Sequence, residues 1–207
     1  IIGIGTVCDA YQPIEAQLKL MPQVLQLCIE TATPCIISTK SSLILRDRAL
    51  LEELAEKVPV IVAFSINTID DTCRQKLEPN ASPIHERIEA LRAFRHSKVK
   101  VGLHTMPIIP YITDSHENLE ALLKLAHEVD YFLCGTMYLK GETKKAFMNF
   151  IDREYPHLKR TFIELYAKGS LDQKYKQQLY AWLNPQLKTI NMNYKQFLTT
   201  HEQLSLF

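Results

Sequence analysis

Residues 58–68 read VPVIVAFSINT, a run rich in Val and Ile that opens apolar and closes on Ser65, Asn67 and Thr68. Its composition is that of a β-strand, and four other runs share its shape: 1–9 (IIGIGTVCD), 35–41 (CIISTKS), 99–110 (VKVGLHTMPIIP) and 131–139 (YFLCGTMYL). Between the runs, apolar residues recur every three or four positions. The sets are Leu18, Met21, Leu25 and Cys28; Leu50, Leu51, Leu54 and Val58; Ile84, Ile88, Leu91 and Phe94; and Leu119, Leu122, Leu123 and Leu125. That spacing lines one face of a helix. Ser82–Pro83 is a good start for the third helix, and Asp114 or Ser115 can cap the fourth. Strand and helix in regular alternation imply parallel strands joined by crossover helices, so the fold class is α/β, as an open sheet or a barrel.

From about Gly141 the pattern is helical only. Residues 142–169 predict one or two helices interrupted near EYPHL (154–158), and 172–187 predict another. The expected organisation is therefore a sheet unit over 1–140 and a helical extension with a terminal tail over 141–207.

Composition narrows the function classes. With 207 residues, 46% of them hydrophobic, the chain can bury one sizeable core. A formal net charge of +1 supplies no large basic field for nucleic acid, leaving at most a local patch such as Lys140, Lys144, Lys145, Lys159 and Arg160. The five cysteines have neither disulfide-framework nor zinc-site spacing, which reads as a reducing, cytoplasmic compartment. No apolar run approaches the roughly 20 residues of a membrane span. The histidines show no ligand spacing and receive no chemistry, and no metal site is assigned.

Each strand run ends polar, and in parallel α/β folds the loops at the strands' carboxyl ends form the active face. Thr6, Asp9, Lys40, Ser41, Ser65, Asn67, Thr68 and Thr105 are therefore expected around one mouth. The competing reading at each position is that strands commonly end polar because loops begin there. Residues 1–9 enter an apolar strand directly, which creates an expectation that a further βα unit precedes them in a longer parent polypeptide.

Four stretches in series, IGTVCDAYQPIE (4–15), ISTKSSLILRD (37–47), FSINTIDDTCRQKLEPNASPIHERIEALR (64–92) and MPIIPYITDSHENLEAL (106–122), resemble the radical S-adenosylmethionine (SAM) proteins related to spore photoproduct lyase, the DNA repair photolyases. The resemblance covers roughly residues 1–154. It implies a partial, TIM-like barrel of βα units, two cofactors (SAM and a 4Fe-4S iron-sulfur cluster) and a lyase-like role in DNA repair or nucleic-acid modification, with DNA or RNA as substrate. The family's cluster is held by a CxxxCxxC loop, a spacing that does not occur here. The cluster is thus expected only in the longer parent, and residues 1–207 alone are expected to be inactive.

By the same resemblance Lys40 would face the SAM carboxylate and Ser65 would hydrogen-bond SAM, with Ser41 and Asn67 nearby. Glu78 would bind an amine or ribose, or anchor its loop; Asp9 and Arg87 are candidates of the same kind. The family's hydrogen-donor cysteine aligns nearer Thr6 than Cys8, so Cys8 is read as a buried structural thiol. No catalytic residue is assigned. Two alternatives belong to other classes: a Schiff-base barrel enzyme using Lys40, and a non-catalytic partner-binding module. Finally, QLSLF (203–207) is similar to the pentapeptide by which bacterial repair and replication proteins bind the sliding clamp. Gln203 would hydrogen-bond the clamp while Leu204, Leu206 and Phe207 fill apolar pockets. The competing reading is a tail docked on its own barrel.

Overall fold

The computed structural model describes residues 1–198. The proposed clamp-binding residues Gln203, Leu204, Leu206 and Phe207 lie outside the described residues.

Strands β1 (Ile2–Ile4), β2 (Cys35–Thr39), β3 (Val60–Ser65), β4 (Lys100–Ile108) and β5 (Tyr131–Thr136) form one sheet in chain order. Every neighbouring pair is parallel. Helices α1 (Glu15–Leu18) and α2 (Leu20–Glu30) follow β1; a 3-10 helix (Ser42–Asp47) and α3 (Arg48–Lys57) follow β2. After β3 come α4 (Asp71–Leu77) and α5 (Ile84–Ala93), and after β4 comes α6 (His116–Ala126). Strands laid down in one direction by crossovers of one hand place all their helices on one side of the sheet. This is the winding of a barrel rather than of a doubly wound sheet, and among the described residues β1 and β5 do not meet.

Side-chain alternation then gives the sheet two unlike faces. On the helix face Cys35, Ile37, Val60, Val62, Phe64, Val101 and Leu103 pack against Leu25, Leu51, Leu54, Leu91 and Leu122. The opposite, open face carries Ile61, Ala63 and Tyr131, covered in part by Tyr194, Phe197 and Leu198 from the C-terminal 3-10 helix (Tyr194–Phe197) and the residue after it.

Local chemistry sets the helix ends. Ser115 caps α6, accepting from Asn118 N, whereas Asp114 accepts from Tyr111 N and from the Tyr175 hydroxyl at 2.6 Å. Lys19, in the left-handed region, splits the expected first helix into α1 and α2. Helix α4 has no counterpart in the apolar periodicity; Asp70 caps it by accepting from Thr72 N.

The C-terminal part is helical, with α7 (Gly141–Glu154), α8 (Lys159–Leu165) and α9 (Gln173–Leu187). The interruption falls at EYPHL, where Tyr155 leaves helical geometry ahead of Pro156, which has no N–H to offer the ladder. These helices build a second core around Ile151, Phe162, Tyr166 and Leu171, which also takes in Ile109 and Leu139. Leu183 and Ile190 join the main core instead. No helix among the described residues is long and apolar enough to cross a membrane.

Candidate functional site

The mouth at the strands' carboxyl ends is built by pairs of residues drawn from different sequence stretches. Asp9, in the loop after β1, accepts from Thr39 Oγ1 (2.8 Å), Lys40 N (2.6 Å) and Tyr11 N (2.9 Å). Its carboxylate is thereby committed to holding the first loop over the end of β2. Gly5 lets that loop start: it has φ 83°, and a Cβ there would overlap the Ser38 carbonyl. Arg46 reaches back from the 3-10 helix to Glu15 and to Asp47, each at 2.7 Å. Burial alone would raise the Glu15 pKa, but hydrogen bonds from Arg46 and from Met21 N and Leu20 N hold it below the ordinary carboxylate value.

The third pair joins Arg87 to Glu78. Arg87, fully buried, donates from Nη1 to the Ser65 carbonyl (2.9 Å) and to Glu78 Oε2 (2.8 Å), and from Nε to the Ser82 carbonyl (2.7 Å). Its Nη2 has no hydrogen-bond partner among the described residues. The other Glu78 oxygen, Oε1, lies 3.7 Å from Lys40 Nζ. Lys40 and Glu78 line a cavity of about 650 Å³ together with Asp9, Tyr11 and Ser41. A second cavity, about 470 Å³, opens at the strands' amino ends beside Val58, Lys98 and Phe197, away from all of these residues.

Sheet register decides which predicted residues come together. Thr39 pairs with Phe64 and Ser65 with His104, so Ser65 and His104 are neighbours on the open face, and Lys40 follows the last paired residue of β2. The remaining candidates are placed otherwise. Strand β3 ends at Ser65, so Asn67 lies beyond the sheet, buried and with its carbonyl accepting from Asn118 Nδ2. Ser41 caps the 3-10 helix by accepting from Leu43 N. Thr105 is buried and donates to the Ile66 carbonyl, and Thr68 is buried and accepts from Asp70 N.

Cys8 corrects the sequence reading: it is exposed rather than buried, because the loop after β1 projects outward with Val7 at 97% exposure. The basic candidates of the C-terminal part are largely engaged. Lys145 pairs with Glu142, Lys159 with Asp152 and Arg160 with Glu164, while Lys144 donates to the Tyr166 carbonyl.

Sequence reasoning missed His104. Its Nε2 lies 2.9 Å from the Tyr131 hydroxyl, and burial, with a smaller contribution from the Lys40 charge, pushes its pKa down to about 4. Its parity with Gly102 on β4 was readable, but the β3–β4 register that puts it beside Ser65 was not.

The donor sets differ in what they fit. Lys40 and Glu78 offer an ammonium and a carboxylate to the cavity, a pair suited to a zwitterionic small molecule, whereas Ser65 and the fully buried Arg87 do not line it. An iron-sulfur cluster needs several converging thiolates. Cys8 is exposed while Cys28, Cys35 and Cys73 are buried, and no group of three His, Cys, Asp or Glu residues that could hold a metal occurs among the described residues. The described residues therefore do not fit a cluster.

No protein-family model matches the chain. It is similar to an uncharacterized protein of Mycobacterium tuberculosis strain H37Rv, 31% identical over 188 residues, covering 89% of this chain and 55% of the relative. An uncharacterized protein of Methanocaldococcus jannaschii is 28% identical over 155 residues, covering 75% and 56%. The chain thus spans about half the length of the curated relatives it matches. Among solved structures, a domain of a pyruvate-formate lyase-activating enzyme from Bacteroides vulgatus superposes with a TM-score of 0.48 at 9% identity, covering 73% of this chain and 92% of that domain. A likeness of that degree bears on neither family nor activity.

Proposed function

We propose that this chain supplies the SAM-binding part of a radical SAM enzyme related to spore photoproduct lyase, acting on nucleic acid. The observation that carries the reading is the pair Lys40 and Glu78, opposite charges 3.7 Å apart at the edge of a cavity of about 650 Å³. That volume is ordinary for a small-molecule site. An α-amino acid end presents the complementary pair, its carboxylate to Lys40 and its ammonium to Glu78. Arg87 holds Glu78 from behind, so the carboxylate keeps its place when Lys40 turns to a ligand. Ser65, one strand further in, offers a hydroxyl on the same face.

Bound SAM supplies radical chemistry in that family; the residues described here bind and orient it. The thiolates for a cluster would have to come from outside residues 1–198. Anaerobic reconstitution of residues 1–207 with iron and sulfide is accordingly expected to give no iron-sulfur absorption. The nucleic-acid role rests on the four motif stretches and on QLSLF. A peptide of the last ten residues is expected to bind a bacterial sliding clamp with micromolar affinity, roughly −8 kcal/mol, and Phe207→Ala to remove most of it. The absence of peptide binding at high micromolar concentration would withdraw the clamp as a partner.

The test of the central reading is calorimetric titration of S-adenosylhomocysteine into the protein. Binding is expected, and Lys40→Ala should weaken it by about 1–3 kcal/mol, the scale of a charge-assisted hydrogen bond. An unchanged affinity removes Lys40 from the site, and no binding to the unmutated protein removes the SAM reading. Borohydride trapping with carbonyl compounds should leave Lys40 unlabelled, since an amine paired with a carboxylate is a poor nucleophile. Labelling would favour the Schiff-base alternative.

A further inference from the structure

Away from the cavity, the loops after β4 and β5 carry two tyrosines that the fold keeps in solvent. Ile108 of β4 pairs with Thr136 of β5, so Tyr111, shortly after the one, and Tyr138, shortly after the other, stand on neighbouring loops. The residues around them are taken inward: Ile109 and Leu139 belong to the second core, and Ile112 and Met137 pack against it. Tyr111 and Tyr138 remain 56% and 59% exposed. Neither loop is loose. Tyr111 has φ 61°, a left-handed conformation that a bulky residue seldom takes. Asp114 holds it there, accepting from Tyr111 N at 2.7 Å and from the Tyr175 hydroxyl at 2.6 Å, with the Tyr175 ring 5.4 Å from that of Tyr111. Tyr138 is bridged antiparallel to Ser170, and its ring lies beside Gly169, where a Cβ would meet it at 3.6 Å. Anchoring of this kind lowers the entropy lost when a flat partner stacks on the rings.

Two cations adjoin Tyr138. Lys140 follows it on the same loop, and Lys168 precedes Gly169, whose carbonyl accepts from Leu139 N at 2.7 Å. Both lysines are exposed, and neither side chain has an ion-pair partner among the described residues, unlike Lys145. The carboxylates nearest the tyrosines in sequence are already engaged, Asp114 by Tyr111 and Tyr175 and Glu142 by Lys145. Exposed flat rings beside unpaired ammonium groups complement a chain that carries planar bases on an anionic backbone. A duplex hides the faces of its bases in its own stack, whereas a single strand offers them.

We propose that Tyr111 and Tyr138 form a stacking platform for unpaired bases of a single nucleic-acid strand whose backbone passes Lys140 and Lys168. The proposal rests on the reading that the chain acts on nucleic acid, and adds to it the surface used and the strandedness of the partner. With so few free cations and a net charge of +1, stacking rather than phosphate contact supplies the affinity.

The test uses three fluorescein-labelled probes titrated with the full chain and read by anisotropy: a mixed-sequence DNA single strand of about 12 nucleotides, its duplex, and an abasic strand of the same length. The single strand should bind about tenfold or more tightly than either of the others. Tyr111→Ala and Tyr138→Ala should each weaken it about tenfold, while Tyr111→Phe and Tyr138→Phe, which keep the ring, should stay within about twofold. Its affinity should fall with salt on a logarithmic slope of about −1.4, the value for two phosphate contacts, and Lys140→Gln should make that slope shallower by about 0.7. The abasic comparison needs no variant, so it decides the matter even if an alanine variant fails to fold. Equal binding of the abasic or duplex probe overturns the proposal. Unchanged affinity in both alanine variants also overturns it and would assign the rings to a protein partner. If the single strand binds and these comparisons fail, this inference falls alone and the nucleic-acid reading stands. If no probe binds the unmutated protein, both fall.

Discussion

The same five strands build both faces of the sheet, yet the faces have opposite chemistries. The helix face is continuous hydrocarbon: Cys35, Ile37, Val62, Phe64 and Leu103 are fully buried under α2, α3, α5 and α6. On the open face, toward the strands' amino ends, Ile61, Ala63 and Tyr131 lie under Tyr194 and Phe197. One or two residues further along, Ser65 and His104 stand beside Leu133, and Lys40 follows the end of β2. The helix face is thus finished by residues that follow each strand directly, whereas the open face is closed from below by a segment that begins at Tyr194, well beyond the last strand's end at Thr136. Polar groups are retained where that cover ends, and the candidate site lies there.

This contrast can be broken at either face. The largest expected effect belongs to the helix face: Phe64→Ala should cost about 3–5 kcal/mol, measured as a lowered urea midpoint with unchanged slope. A much smaller loss would mean that the helix layer repacks, and that the main core is not where stability resides.

Next comes the pH dependence contributed by His104. Its folded pKa, about 4, is depressed from the ordinary 6.5 by burial first and the Lys40 charge second. The unfolded chain therefore binds the proton more readily. The contribution is fully present above about pH 6.5 and is lost as pH falls toward 4, by about 1–3 kcal/mol. Subtracting the stability-versus-pH curve of His104→Gln should isolate that step, and an unchanged slope between pH 4 and 6.5 would show that the imidazole is not shielded from water. Asp71 acts in a lower window. Hydrogen bonds from Arg74 first, and from Ile84 N, hold it at about 2, so its contribution is lost only as pH falls from the ordinary carboxylate value toward 2.

Lys40→Ala should separate binding from folding: affinity for S-adenosylhomocysteine falls, while stability stays within about 0.5 kcal/mol because the side chain is partly exposed and Arg87 still holds Glu78. A large loss of stability would make Lys40 a structural residue. The smallest effect is expected at Arg160, whose pairing with Glu164 is almost wholly solvated. Arg160→Ala should leave the melting midpoint where it was.

Much of the fold was legible because it is local. The five apolar runs became the five strands, and the helical spacings became α2, α3, α5 and α6, since side-chain period and strand or helix preference are properties of neighbouring residues. Helix α4 was missed because DDTCRQKL carries little apolar periodicity and is held by Asp70 at its start and the Asp71–Arg74 pair within. Part of the candidate site was legible in the same way: Lys40, read from a polar strand end, lines the cavity beside Glu78. Asn67, Thr68 and Thr105 looked equivalent to it in sequence but are buried: Thr105 donates to the Ile66 carbonyl 39 residues away, Thr68 accepts from Asp70 N, and the Asn67 carbonyl accepts from the Asn118 side chain 51 residues away.

By itself, then, the sequence determined the alternation of strand and helix, the parallel pairing that alternation demands, and the polar character of one end of the sheet. Tertiary structure decided which polar residues are free. It placed His104 beside Ser65 through the β3–β4 register, tied Asp9 and Glu78 into anchoring pairs with distant partners, and brought Tyr194 and Phe197 back to fix Tyr131. Register and chain return join residues far apart in sequence, and the free energy that selects them comes from burial and hydrogen bonding that exist only once the sheet has formed.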